Sequence, residues 1–442
     1  MSPATPSSAQ PAAGGAPALA PGRRAYRGRL LTPLGGGAPG APARLRYLDD
    51  ALLVVDAEGR VASVSEFAGA SFRGPALDLR PAVLLPGFVD AHLHFPQTRI
   101  TGSASGALLD WLERSVFPEE ARFADPDHAA VVADEFTRRM LAAGTTTCAA
   151  YSSAHPAATD RLFEALDRAG MRAVAGLTLM DQGCPEALRL PAREAVPAAR
   201  DLVQKWHGSG GGRLGFAITP RFAPSCSREL LEAAARLARD HGLVIQTHIA
   251  EQHAEGEAAL RAHPYASGYL DVYDKVGLLT ERTLLAHAIH LTPPEWDRLA
   301  EVGAKVVHCP DSNFFLGSGR KPLREPRLRG VPVALGSDVG AGRSFDLRRA
   351  MSHAFDSALC TGERVLPADL LAMATLGGAA ALGLEGRTGS LEPGKEADFI
   401  VVRCPEYAAS EADVLAQLVF ASDVTAVTRT YVRGEQVHPR PS

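Results

Sequence analysis

The sequence predicts an α/β protein: a (β/α)8 TIM barrel with a small β-sandwich domain formed from N- and C-terminal segments. Three observations carry this expectation. Eight apolar, strand-like runs alternate with helical stretches through residues 86–385. Those runs are continuously apolar, as parallel strands covered on both faces are. Short alternating runs with Gly-centred turns recur at both ends, over 25–85 and 386–442, and read as one composite β domain.

Taken in order, residues 1–24 are a Pro/Ala/Ser-rich stretch without the charged-then-apolar order of a signal peptide, and read as a disordered tail. AYRGRLL at 25–31 and ALLVVDAEGRVASVSEF at 51–67 are strand-like, the second folded at its DAEGR turn. The eight barrel strands are expected at 83–89, 145–151, 172–179, 214–219, 243–249, 283–289, 304–308 and 331–336. Between them lie helical patterns such as LLEAAARLARDHG at 230–242, which ends on Gly as helices prefer. The phrase GKEADFIVV at 394–402 marks the return to the small domain, followed by TRTYVRGEQV at 428–437.

Composition narrows the function. With 46% hydrophobic and 22% charged residues, the chain matches an average globular enzyme rather than a disordered or fibrous one. A net charge of −4 supplies no basic field for nucleic acid or anionic lipid. The six scattered cysteines form no C-x-x-C pair, which suits a reduced, cytoplasmic protein. No apolar run reaches the roughly 20 residues of a membrane span.

In such a barrel the chemistry sits at the C-terminal ends of the strands. His92 and His94 follow the first strand, two residues apart, so an extended chain points both imidazoles the same way. His248 and Glu251 close the fifth strand, His287 the sixth and Asp338 the eighth. Four imidazoles and a carboxylate converging from four strands suit a mononuclear Zn²⁺ or Fe²⁺ site. His290 stands an odd number of steps from His287, and His308 precedes Cys309 with no second cysteine, so neither joins the expected ligands. Gln97, Arg221 and Asn313 are the remaining polar residues of the rim, and Trp111 and Phe222 are candidates for stacking on a flat ligand. FLGSG at 315–319 lacks the Lys and spacing of a phosphate loop. The cytidine-type zinc deaminases are set aside as well, because the lone H-x-E at 253–255 has no later P-C-x-x-C.

The phrases PGFVDAHLHFPQ, AAGTTTCAAY, ITPRFAPSCS, QTHIAE, HCPDSNFFLGSG, LGSDVGAG and ATLGGAAALGL, spread from about 45 to 435, resemble the guanine deaminases of the amidohydrolase superfamily. DWLERSVFPEEARF strengthens the likeness to that branch. The resemblance implies one zinc per chain held by His92, His94, His248 and Asp338, with His287 a ligand or a partner of the attacking water. It implies Glu251 as proton shuttle, with Gln97, Arg221 and Phe222 at the purine and Trp111, His248 and Glu251 facing it. It also implies a homodimer and hydrolysis of guanine to xanthine and ammonia. Asp338 and His287 would assist water attack at C2, and Glu251 would protonate N3. The alternatives are a relative acting on 8-oxoguanine, a pterin or an s-triazine, and a scaffold without catalysis. CPDSN in place of the commoner CPTSN puts Asp311 beside the expected pocket rim, and Ser337 stands where Thr is frequent.

Overall fold

The computed structural model describes residues 22–36, 41–67, 74–103 and 106–439. Of the tail expected over 1–24, residues 1–21 lie outside the described residues. Among these, the strands form two sheets. The first runs, edge to edge, Glu435–His438, Ala426–Val432, Phe399–Arg403, Leu77–Pro86, Arg24–Pro33, Leu45–Val55 and Val61–Glu66. All neighbours in it are antiparallel except Arg24–Pro33 beside Leu77–Pro86. The DAEGR turn forms as expected: Asp56 Oδ1 accepts from Arg60 N at 2.7 Å, and Gly59 takes the left-handed φ of 77° that the turn needs.

The second sheet is the barrel. Its eight parallel strands follow chain order: Phe88–His94, Thr145–Tyr151, Arg172–Gly176, Leu214–Pro220, Val244–Ile249, Thr283–His287, Lys305–His308 and Val333–Leu335. Every residue of the first two strands is buried, which is why their sequences run apolar without alternation. The covering helices show the reason for their own pattern. In Arg228–His241, Leu230, Leu231, Ala234, Ala235, Leu237 and Ala238 are buried, one stripe of the helix. Ser227 caps its start by accepting from Leu230 N, and Gly242 ends it with φ 63°. Full burial of a leucine in such a stripe stabilises by about 1.5–3 kcal/mol.

The strand expected at 83–89 proves to be two. Residues up to Pro86 pair in the mixed sheet, and Phe88 begins the barrel, with the crossing at Gly87. A Cβ on Gly87 would meet Thr146 Oγ1 at 2.1 Å, so only glycine fits there. The run reads unbroken in sequence because both sheets bury their share of it. The strand expected at 172–179 likewise breaks at Leu177 into Arg172–Gly176 and the short Thr178–Leu179.

The barrel's first and last strands meet at its C-terminal end. Asp338 N donates to His92 O at 2.9 Å and His94 N donates to Val339 O at 2.7 Å. The approach is close: a Cβ on Gly336 would lie 2.8 Å from His92 Cβ. No described helix is long and apolar enough to cross a membrane, and none of the six cysteines is disulfide-bonded.

A buried ion cluster fastens the two sheets together. Arg172, on the third barrel strand and 1% exposed, donates to Glu396 and, at 3.1 Å, to Asp398 on the returning segment. Arg387 and Arg433 reach Glu396 at 2.8 and 2.7 Å. Burial opposes ionisation of Glu396, but the guanidinium groups of Arg433, Arg172 and Arg387 outweigh it and hold its pKa at about 2. Because that pKa lies below the ordinary glutamate value, the contribution of Glu396 to stability is fully present above that value and fades as pH falls through about 2. Denaturant unfolding across acidic pH should therefore show a loss of stability that Glu396→Gln lacks. At neutral pH, Glu396→Gln should itself cost about 3–5 kcal/mol, because it leaves buried guanidinium charge uncompensated.

Candidate active site

The rim of the barrel gathers the side chains expected from the sequence. His92 and His94 leave the first strand on the same side, their ring centroids 5.0 Å apart. His248, from the fifth strand, sits 4.7 Å from His92 and 5.1 Å from His94. His287, ending the sixth strand, is 5.6 Å from His92. Asp338, just past the eighth strand, places Oδ1 3.3 Å from His92 Nε2 and 3.4 Å from His94 Nε2. His287 and Asp338 hold left-handed backbone, with φ 68° and 51°. Strain of that kind costs about 1–3 kcal/mol per residue and gathers at functional sites.

The hydrogen bonds decide which nitrogens face inward. His248 Nδ1 donates to Arg221 O at 2.6 Å and His287 Nδ1 donates to Asn313 Oδ1 at 2.9 Å. Both rings therefore turn a bare Nε2 toward the centre. There His94 Nε2 and His248 Nε2 lie 3.2 Å apart. His92 Nε2, fully buried, has no hydrogen-bond partner among the described residues. Burial pushes the His94 imidazole down to about 4, and burial with the neighbouring rings holds His248 well below its ordinary value. Burial also opposes ionisation of Asp338, but His92 and His94 hold its carboxyl well below the carboxylate range. Neutral imidazoles, an ionised carboxylate and an orphaned buried nitrogen fit a divalent cation. The spacings of 3.2–3.4 Å are those of donors sharing one ion at about 2.0–2.2 Å.

Glu251 stands at the edge of this group. Its Oε2 lies 3.4 Å from His287 Nε2, and its Oε1 accepts from Ser318 Oγ at 2.8 Å. Burial and the Asp338 charge push its pKa up to about 8, which favours the protonated form. Above it opens a small cavity. Leu108, Trp111, Leu112, Phe222 and Leu316 form its apolar wall, and Gln97, Arg221, His94, His248, Glu251, His287 and Asp338 its polar groups. Of the residues expected at the metal and the purine only His92 does not line the cavity; it lies against His94, His248 and Tyr151. Asn313, expected on the rim, is also absent from the lining and holds His287 instead.

Some expectations fail. Asp311 is not on the pocket rim: it is buried and binds Arg343 N at 2.6 Å, Arg343 Nε at 2.9 Å and His353 Nδ1 at 3.0 Å. An acid so enclosed by basic groups has no reason to face a ligand. His290 and His308 stay outside the group, as expected. His290 Nε2 donates to Ser318 O at 2.9 Å, and both ring nitrogens of the buried His308 lack partners among the described residues. Sequence reasoning missed three groups. Cys309 clusters with His92, His287 and Asp338, all their donor atoms within 4.8 Å of one another. Ser318 holds Glu251, and Glu120 links Gln97 to Arg221. FLGSG enters the sequence reading as a poor phosphate loop and as part of the likeness to the guanine deaminases, and the Glu pair of FPEEARF only as part of that likeness. Nothing in the sequence separates Glu120, the second acid after Phe117 and Pro118, from its neighbour Glu119.

A barrel with this rim of histidines and acids defines a metal-dependent hydrolase, and comparison with known proteins agrees. The chain belongs to the amidohydrolase family, whose model matches residues 83–437. It is 35% identical over 410 residues to guanine deaminase of Escherichia coli (strain K12), spanning 90% of this chain and 93% of that protein. It is 39% identical over 403 residues to a probable guanine deaminase of Deinococcus radiodurans, spanning 88% and 91%. The solved E. coli enzyme superposes with a TM-score of 0.88 over 95% of this chain and 100% of its own, at 34% identity. The guanine deaminase of C. acetobutylicum, solved with guanine in its active site, superposes with a TM-score of 0.86 at 29% identity, covering 94% of this chain and 99% of its own.

If these donors hold a cation, adding Zn²⁺ to chelator-stripped protein should raise its unfolding temperature in a saturable way. At a hundredfold excess over Kd, the gain should be about 2.7 kcal/mol. His92→Ala should abolish most of the shift, and a parent protein indifferent to Zn²⁺ would count against the site.

Proposed function

We propose that the chain hydrolyses guanine to xanthine and ammonia, consuming one water. The observation that carries this reading is a cavity with an apolar wall whose polar groups are Arg221 and Gln97, joined through Glu120, and the His–Asp cluster with Glu251 beside it. Its support from relatives is the run of guanine deaminases matched along nearly the whole chain.

His92, His94, His248 and Asp338 would hold one Zn²⁺, with His287 beside them; Fe²⁺ suits the same donors. When bound, the metal supplies Lewis acidity, which makes water a nucleophile at neutral pH. The chain's own residues then do the rest. Asp338, kept ionised, accepts the proton of the attacking water. His287, whose Nε2 lies 3.4 Å from Glu251 Oε2 and 3.8 Å from Asp338 Oδ2, holds that water between the two carboxyl groups. Attack at C2 moves electrons onto ring nitrogen N3, and Glu251 gives N3 its proton. The proton on Asp338 passes to the departing amine by way of Glu251, ammonia leaves as the C2 carbonyl forms, and the proton shed by the C2 hydroxyl returns to Glu251 and restores its starting state. Arg221 and Gln97 donate to the O6 edge, which sets C2 rather than C6 toward the cluster. Phe222 and Trp111 hold the ring by its faces and keep bulk water away. We further propose that the protein works as a homodimer in the cytoplasm.

Ammonia release measured side by side from guanine, adenine, 8-oxoguanine, a pterin and an s-triazine should show guanine preferred. Preference for another of these would move the substrate while keeping the chemistry. Glu251→Gln should lower kcat by about 10²–10⁴. Arg221→Ala should act chiefly through a raised KM for guanine; an unchanged KM would remove Arg221 from the pocket's function.

A further inference from the structure

Glu120 lies on the helix Phe117–Ala121, outside the ring of strand ends, and its side chain is 1% exposed. Its two oxygens are divided between two pocket residues. Oε1 accepts from Gln97 Nε2 at 3.0 Å, and Oε2 accepts from Arg221 Nη1 at 2.7 Å. Gln97 is held at its other end too, its Oε1 accepting from Gly340 N at 3.1 Å. One amide N–H of Gln97 and several guanidinium N–H groups of Arg221 are left over for a ligand.

The charge balance at this end of the cavity follows from these contacts. Arg221 is itself 4% exposed and carries a full positive charge in a place with little water. Glu120 cancels it at hydrogen-bond distance. His155 also faces Glu120, and burial lowers its pKa, so it adds no charge at neutral pH. The other ionisable groups lining the cavity, Glu251, Asp338 and the histidines, share no hydrogen bond or ion pair with the Arg221 side chain among the described residues. The oxygen-binding end therefore donates hydrogen bonds without offering net positive charge.

Resting on the guanine reading, we propose that Glu120 is a specificity-determining positioning residue: it neutralises Arg221, so that the pocket binds a neutral lactam and does not retain an anionic one. The difference matters because substrate and product are nearly the same shape. Guanine is neutral at neutral pH, while xanthine, with carbonyls on both sides of its N1–H, is the stronger acid and ionises more readily. A bare guanidinium would form a charge-assisted hydrogen bond to the xanthine anion, roughly twice as strong as a neutral one, and so hold the product. With Glu120 in place, that advantage is gone.

The test is product inhibition. KM for guanine and the inhibition constant of xanthine are measured for the parent chain, Glu120→Gln and Arg221→Met, with hypoxanthine as a neutral 6-oxopurine control. Glu120→Gln should tighten xanthine relative to guanine by about tenfold, with hypoxanthine following guanine. Arg221→Met leaves Glu120 uncompensated and should shift the same ratio in the opposite direction, an outcome that does not depend on how well the first variant folds. Equal changes in both constants, or none, would overturn the inference and leave Glu120 a purely geometric support. Absence of guanine turnover in the parent chain would overturn the guanine reading and this inference with it.

Discussion

The closing of the barrel is the constraint on which the rest depends. Where the first strand meets the segment after the eighth, two backbone hydrogen bonds tie His92 to Asp338 and His94 to Val339. The same seam thus completes the sheet and brings two imidazoles against the carboxylate that faces them. Asp90 strengthens it from inside, its Oδ1 accepting from Ser337 N at 3.0 Å and His92 N at 3.3 Å. Gly336 permits the approach. Position and function are linked here: a shift of one residue in this register would turn both histidines out of the site.

The site itself is a set of polar groups placed where burial would be unfavourable for each alone. Neutral imidazoles gather because water is excluded, and Asp338 stays charged because two of them face it. Burial and the charge of Asp338 push Glu251 the other way, up to about 8. Two acids about the same cluster are pushed in opposite directions, one toward accepting a proton and the other toward giving one. A third buried acid, Glu120, is matched instead to an arginine.

Much of this was legible in the sequence, for reasons that particular residues make plain. Parallel strands buried on both faces, such as Thr145–Tyr151, leave uninterrupted apolar runs, so the barrel could be counted. Ligand-type residues at strand ends are rare enough to stand out, and His92, His94, His248, His287 and Asp338 did. What could not be read depends on contacts across the chain. The break at Gly87 is invisible because both of its sides are buried, and its cause is Thr146, far along the sequence. Asp311 looked like a pocket residue because nothing local announces its pairing with Arg343 and His353. Glu120 lies on a helix rather than a strand end, where no search of the rim would look.

The mixed sheet has a consequence for how the chain comes to be made. Pro86 pairs with Phe399 and Val83 with Val402, so the strand that leads into the barrel, already beside Arg24–Pro33, finds its second neighbour only near the end of synthesis. Until then a growing chain presents that strand with one open edge, a template for pairing with another chain. Arg172, already committed to the third barrel strand, likewise waits for Glu396 and Asp398 before its charge is answered. On the ribosome, the barrel is therefore translated before the clasp that secures it. The interval between the two is when the nascent protein depends most on chaperones to keep it from its neighbours.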